Sequence, residues 1–390
     1  MQQTTFVGPT DNQTAQRPKY YDALDGFRGI AVLLIAFYHV PWPNHFIHSG
    51  FVANSYLMVD LFFMLSGFVI LASSPKHAAA PAKIGNFLAQ RFFRIYPLHL
   101  AVLAAFVGLE LFKLWSLRHG AIVPAHIPFS GANSVPALIA NLFLVQGLGI
   151  FSTLTWNCPS WYISCLFVAY SLFAIGAFAG ILKNKIAFPT AILLALSGYV
   201  LLAVTRGTLN ITYDFGIVRC LCGFFLGMAI FQLSAKREGH AAATPYGPSL
   251  EIALVVALVL AMSFASGWQV IFVIPVFGLM IAVFQRGLGP VSTLLTWPVM
   301  RFLSKISYSI YMVQFFIFLV TSTVLHKVLK FPMLPDPKTG VDTLNVSLWV
   351  GDIFVGIDLV LIVGISTATY FLIEEPARLF GKRVLASLQK

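Results

Sequence analysis

The chain has 390 residues, 58% of them hydrophobic and 10% charged, with a formal net charge of +11. A soluble domain carries about 25% charged residues. Here apolar runs recur along nearly the whole length, so the composition excludes an anchored soluble protein and implies an all-α polytopic membrane bundle. The basic excess is what the cytoplasmic loops of such a bundle collect, and no basic run is interleaved with stacking aromatics as a nucleic-acid groove requires.

Residues 1–20 are polar, carry Arg17 and Lys19, and read as a cytoplasmic tail. No small-x-small cleavage site follows the first apolar run, so the first helix is retained. Segments able to span lie at approximately 27–47, 51–73, 95–116, 161–182, 187–205, 214–233, 249–265, 268–285, 304–325 and 348–373. That predicts about ten transmembrane helices in one domain over 21–383, with a cytoplasmic tail at 384–390. The apolar stretch 134–150 is short, is bracketed by Pro136 and Gly147–Gly149, and reads as re-entrant or lying on the outer surface. With the N-terminus inside, 18 Lys and Arg residues fall on the cytoplasmic side and 6 outside, with Arg219 inside a helix. This positive-inside split places both termini in the cytoplasm.

The first helix, DALDGFRGIAVLLIAFYHV, carries Arg28 at its start and His39 eleven residues later, about 16 Å further along the axis. An arginine there can meet phosphates, and an ionisable group at membrane depth signals function by default. On the second helix, antiparallel to the first, Asp60 sits about 20 Å from the cytoplasmic end, at the depth of His39. An Asp60–His39 contact is the expectation, with the carboxylate orienting the imidazole; the plainer reading is a structural polar pair.

KIGNFLAQRFFRIYP (83–97) is amphipathic and basic, and is expected to lie along the cytoplasmic surface until Pro97 opens the third helix. Its Arg91 and Arg94 are one turn apart and suit a phosphate-rich ligand; stop-transfer charge facing anionic lipid is the alternative. At the outer mouth, TWNCPSWYIS (155–164) offers Trp161, Tyr162 and Ser164, either to grip a sugar ring or as an interfacial belt. Arg219, in DFGIVRCLCGFFLG, needs a buried partner, with Asp214, Asp358 or a polar ligand as candidates. Cys158, Cys165, Cys220 and Cys222 make no zinc pattern and read as packing residues, so no metal is expected. There is no G-x-S-x-G, H-E-x-x-H or P-loop motif.

These residues resemble the acyltransferase-3 family of integral membrane acyltransferases over about 20–383. LDGFRGIAVLLIAFYHV is similar to the family's first helix, with its Arg-x10-His motif on Arg28 and His39. MVDLFFMLSGFVI (58–70), FLAQRFFRIYPLHL, NCPSWYIS, KISYSIYMVQF (305–315) and FLIEEPARLF (371–380) resemble five later blocks, in order. The resemblance implies transfer of an acyl group, most often acetyl, from cytoplasmic acyl-CoA to a hydroxyl of a glycan or glycolipid. Arg28, Arg91 and Arg94 would hold the CoA phosphates. His39, with Asp60, would act as general base or as acyl carrier.

Two departures stand out. Many members have W-S-x-x-x-E where this chain has Trp161-Tyr162-Ile163-Ser164-Cys165, and Gln314 stands where a histidine often follows S-Y-S-I-Y-x-x. Some relatives carry a fused extracellular hydrolase-like domain. This sequence has none, so the expectation is action alone or handover to a separate partner such as a polysaccharide-assembly complex. The rival class is a proton-coupled transporter or lipid-linked sugar flippase using the same buried groups, which paired broken helices in two halves would favour.

Overall fold

The computed structural model describes residues 21–73, 81–120, 126–181, 186–237, 247–335 and 342–387. The polar tail 1–20 with Arg17 and Lys19, and Lys76, Lys183, Lys185, Lys338 and Lys390 of the charge count, lie outside them. Fifteen α-helices are described: α1 (Asp22–Tyr38), α2 (Gly50–Ala53), α3 (Met58–Ser73), α4 (Pro81–His119), α5 (Val135–Leu142), α6 (Trp161–Phe178), α7 (Ala187–Arg206), α8 (Gly216–Arg237), α9 (Gly247–Phe264), α10 (Val273–Phe284), α11 (Pro290–Leu295), α12 (Pro298–Lys305), α13 (Ser307–Thr323), α14 (Leu348–Thr369) and α15 (Glu375–Ser387). The described strands, β1 (Met333–Pro335) and β2 (Asp342–Leu344), form one antiparallel ribbon. The protein is an all-α polytopic bundle. Eight helical stretches among the described residues are long and apolar enough to cross a bilayer. The 17-residue α1 and the apolar α9 account for the other two predicted spans.

Local chemistry sets where the helices stop. α1 opens with Asp22 and Asp25 in its first turn, where carboxylates favour the positive end of the helix dipole. It closes at His39, ahead of Pro41 and Pro43, rather than running to 47. α7 ends on Gly207 at φ 66°, the left-handed cap that glycine adopts freely. Pro290 and Pro298 each open a helix, α11 and α12.

Two expectations change. α4 is one helix of 39 residues that passes through Pro97, so 83–97 is not a separate surface helix. At ~58 Å it is far longer than the bilayer core. The loss of one intrahelical bond at proline is outweighed by packing of α4 on α6, α13 and α15. At the far end, a π-helical turn over Tyr370–Glu374 joins α14 to α15, so helix continues past 383 to Ser387.

The segment 134–150 does not cross. α5 has eight residues, about 12 Å, and the chain after it folds against the start of α6. Ser164 Oγ donates to the Leu144 carbonyl at 2.7 Å and accepts from the Gly147 amide at 3.1 Å.

α3 and α8 pack along a seam of glycines. A Cβ on Gly67 would strike the Phe224 carbonyl, and one on Gly227 the Met64 carbonyl. Small residues that admit such close approach are how helices associate where water supplies no hydrophobic drive.

Candidate functional site

Facing sides of five membrane helices, closed off by α12 and α15, enclose a cavity of about 560 Å³. α3 contributes Phe62, Leu65, Ser66, Val69 and Ile70, a spacing that keeps one helix face on the cavity. Six cations line the cavity: Arg28 from α1, Arg91 and Arg94 from α4, Arg301 and Lys305 from α12, and Arg378 from α15. Two carboxylates oppose them, Asp25 and Glu374. The three arginines singled out in the sequence are therefore brought together.

The cations differ in how well they are matched. Arg301 pairs with Asp22 at 3.1 Å and Arg378 with Glu375 at 2.7 Å. Lys305 Nζ lies 5.1 Å from the ring centres of Tyr370 and Phe371. Arg28 donates to Asp25 at 3.2 Å and to Ser307 Oγ at 3.5 Å. Arg91 rests against the rings of Phe87 and Tyr170, at 5.4 and 5.7 Å. Among the described residues no carboxylate is within ion-pair distance of Arg91 or Arg94. Such a surplus in a partly buried cleft favours a multiply charged anion.

Sequence reasoning missed Arg301, Lys305, Arg378, Glu374 and Tyr370. The signal available was that Lys305 and Arg378 fall inside two of the family-like blocks, and that Arg301 and Lys305 are four residues apart, on one helix face. The π turn brings Tyr370 and Glu374 to the cavity wall, and π turns recur at functional sites.

Part of the cavity wall is aromatic. Tyr162 lies over Phe63, with ring centres 4.8 Å apart, and meets Tyr311 at 5.2 Å. Tyr162, Tyr311 and Phe62 line the cavity. Tyr162 thus faces the basic cavity and not an outer mouth. On α1 the lining runs from Leu24 to Arg28, and His39 is not part of it. His39 is half-buried at the end of α1, its Nδ1 2.9 Å from the Ile35 carbonyl. A carbonyl only accepts, so Nδ1 carries the hydrogen and Nε2 keeps a lone pair in the neutral ring.

Asp60 does not contact His39. Depth matched them, but Asp60 turns toward α8 and α7. It accepts from Arg219 Nε at 3.0 and 3.1 Å, from Arg219 Nη2 at 2.5 Å, and from the Tyr199 hydroxyl at 3.0 Å. Arg219 also donates to the carbonyls of Ile211 and Tyr56, each at 3.0 Å. Both side chains are essentially sealed from solvent. The partner of Arg219 is therefore neither Asp214, which pairs with Arg206 at 2.7 Å, nor Asp358, which accepts from Thr321 at 2.8 Å. Trp161 is buried with its ring centre 5.9 Å from the Arg219 guanidinium. Trp161, Ser164 and Arg219 act here as framework.

Among the described residues no group of three or more His, Cys, Asp or Glu is placed to hold a metal ion. All four cysteines are free.

No solved structure matches this chain. Among curated proteins it is 32% identical over 193 residues to "Protein 2 in picA locus" of Rhizobium radiobacter, covering 47% of this chain and 94% of that protein. It is 29% identical over 164 residues to "Acyltransferase MdmB" of Streptomyces mycarofaciens, covering 39% of this chain and 38% of the relative. A third relative, from Komagataeibacter xylinus, is provisionally named as the membrane-bound transacylase BcsY. It is 24% identical over 256 residues, covering 64% of this chain and 61% of its own. The family model described as an acyltransferase domain matches residues 21–369. With the ordered blocks and the helical bundle that carries them, this makes the chain a member of the acyltransferase-3 family of membrane acyltransferases.

Proposed function

We propose that this chain is an O-acyltransferase of the inner (plasma) membrane, with both termini cytoplasmic. It moves an acyl group, most simply acetyl, from cytoplasmic acyl-CoA to a hydroxyl of a surface or exported polysaccharide or glycolipid. The observation that carries the reading is the cavity with six cations against two carboxylates, in which neither Arg91 nor Arg94 has a carboxylate within ion-pair distance among the described residues. A coenzyme A thioester has the matching shape: phosphates for the arginines and lysine, and a neutral arm to follow the apolar face of α3 toward Phe62 and Tyr162.

His39 is the proposed general base. Its Nδ1–H is held by the Ile35 carbonyl, so Nε2 takes the proton of the acceptor hydroxyl as that oxygen attacks the thioester carbonyl. The C–S bond breaks, the ester forms, and the proton passes to the CoA thiolate. For this, the thioester must pass the rings of Phe62, Tyr162 and Tyr311, which line the cavity. Asp60 serves by fixing α3 against α8 and not by touching the imidazole.

The test uses purified protein in nanodiscs with labelled acetyl-CoA and a glycolipid extract from the host membrane. Acceptor-dependent release of free CoA, lost in His39→Ala while acetyl-CoA binding persists, is the expected result. Binding without release, together with movement of intact substrate in proteoliposomes, would replace this reading with the transporter one.

A further inference from the structure

One buried charge of the cavity wall has no task in the transfer step. Glu374, in the π turn between α14 and α15, lines the cavity and is 5% exposed. Its Oε2 accepts from Ser309 Oγ at 2.9 Å. The charges of Arg94, Arg28 and Arg378 act on it, but among the described residues no Lys or Arg nitrogen lies within ion-pair distance of its oxygens.

Contacts made by successive residues of α13 place Glu374 along the cavity. Ser307 Oγ accepts from Arg28 at 3.5 Å. The Tyr308 hydroxyl donates to the carbonyl of Ile95, the residue after Arg94, at 2.6 Å. Ser309 holds Glu374. Tyr311 meets Tyr162, with ring centres 5.2 Å apart. From Ser307 to Tyr311 the helix rises about 6 Å. Glu374 is therefore anchored at a level between the arginines and the Tyr162–Tyr311 pair.

A carboxylate repels a phosphate, and a buried one is costly unless it is hydrogen-bonded. Ionised, it only accepts, and Ser309 uses one of its acceptor positions. The remaining positions suit a neutral N–H or O–H. An acyl-CoA carries such groups, amide N–H and hydroxyl, on the arm between its phosphates and its sulfur. The order along the molecule also agrees. With phosphates on Arg28, Arg91 and Arg94 and the thioester directed toward Tyr162, the arm occupies the level of Glu374.

We propose that Glu374 recognises the donor substrate: its second carboxylate oxygen accepts from an N–H or O–H of the pantetheine arm of acyl-CoA and fixes how far the thioester advances. This rests on the acyl-CoA reading and adds the residue that reads the arm. A counter-ion for the arginines is the competing role. A counter-ion acts on every polyanion alike and distinguishes none of them.

The test is calorimetric titration of the protein in nanodiscs with acetyl-CoA and with adenosine 3′,5′-bisphosphate, the nucleotide half that lacks the arm. Glu374→Met keeps the bulk and removes both acceptor oxygens, and Glu374→Ala is an independent second. In each, the bisphosphate should bind at least as tightly as to wild type, because a repelling charge is gone. The ratio of the acetyl-CoA to the bisphosphate dissociation constant should rise about tenfold or more, the scale of a lost hydrogen bond to a charged group. Glu374→Gln, neutral but with an acceptor oxygen, should fall between. An unchanged ratio overturns the contact: both ligands tightened or unmoved leaves a counter-ion, and both weakened moves the hydrogen bond to the nucleotide. Failure of wild type to bind either ligand would instead remove the acyl-CoA reading itself.

Discussion

Two sets of arginines sit inside this bundle, and their surroundings are opposite. Arg219 has its carboxylate, a tyrosine beside that carboxylate, two backbone carbonyls and two aromatic faces, all within a sealed space. Arg91 and Arg94 face a cavity and, among the described residues, have no carboxylate within ion-pair distance. A charge completed by its own protein holds helices together. A charge left incomplete beside open space is available to a ligand. Ionisable residues in apolar sequence are expensive in both cases, so sequence flags both alike and only their partners separate framework from site.

Variants can break or sharpen that contrast. The largest effect is expected at Arg219→Leu alone, which strands Asp60 and should lose about 3–5 kcal/mol of stability, read as a collapse of the monodisperse fraction in detergent. Replacing both members, Asp60→Leu with Arg219→Met, should restore much of that loss, because no unpaired charge remains. If the double variant transfers acyl groups, Asp60 has no chemical role. Next, His39→Ala should lower the turnover rate about 10²–10⁴-fold with melting temperature and acetyl-CoA affinity preserved; activity within tenfold of wild type would sink the general-base role.

Arg91→Ala or Arg94→Ala should behave inversely to Arg219→Leu. Melting temperature should hold, while the dissociation constant for acetyl-CoA rises about tenfold or more, the scale of a lost hydrogen bond to a charged group. Calorimetric titration checks this directly. The smallest change is expected at Arg301→Ala. That side chain is 56% exposed and already paired with Asp22, so screening by water should keep the affinity change within about threefold and erase it at high salt.

Much of this was legible in the chain. The apolar runs gave the bundle, and the arginines at 28, 91 and 94 could be grouped because all three sit near the same ends of their helices. Depth along a helix can be counted from residue number. Azimuth around it cannot, and this is why Asp60 was matched with His39 when its carboxylate points to Arg219. Pro97 illustrates a second limit: local stereochemistry argues for a break, and packing along a 39-residue helix overrides it. The contributions of α12 and α15 to the cavity depend on contacts between segments hundreds of residues apart, which periodicity does not encode. Ser164 was noticed as a polar group near a sugar-binding mouth, yet it is committed to holding the chain at Leu144 and Gly147.

The glycine seam between α3 and α8 has a mechanical consequence. Backbones in direct contact at Gly67 and Gly227, bolted again by Asp60 and Arg219, cannot slide past one another without steric collision. The pair therefore moves as a single rigid strut. Any breathing along the proposed thioester route past Tyr162 and Tyr311 must therefore come from other contacts around the cavity, such as that of α1 with α13. A cysteine crosslink between α1 and α13 should arrest turnover, whereas one between α3 and α8 should leave the cycle running.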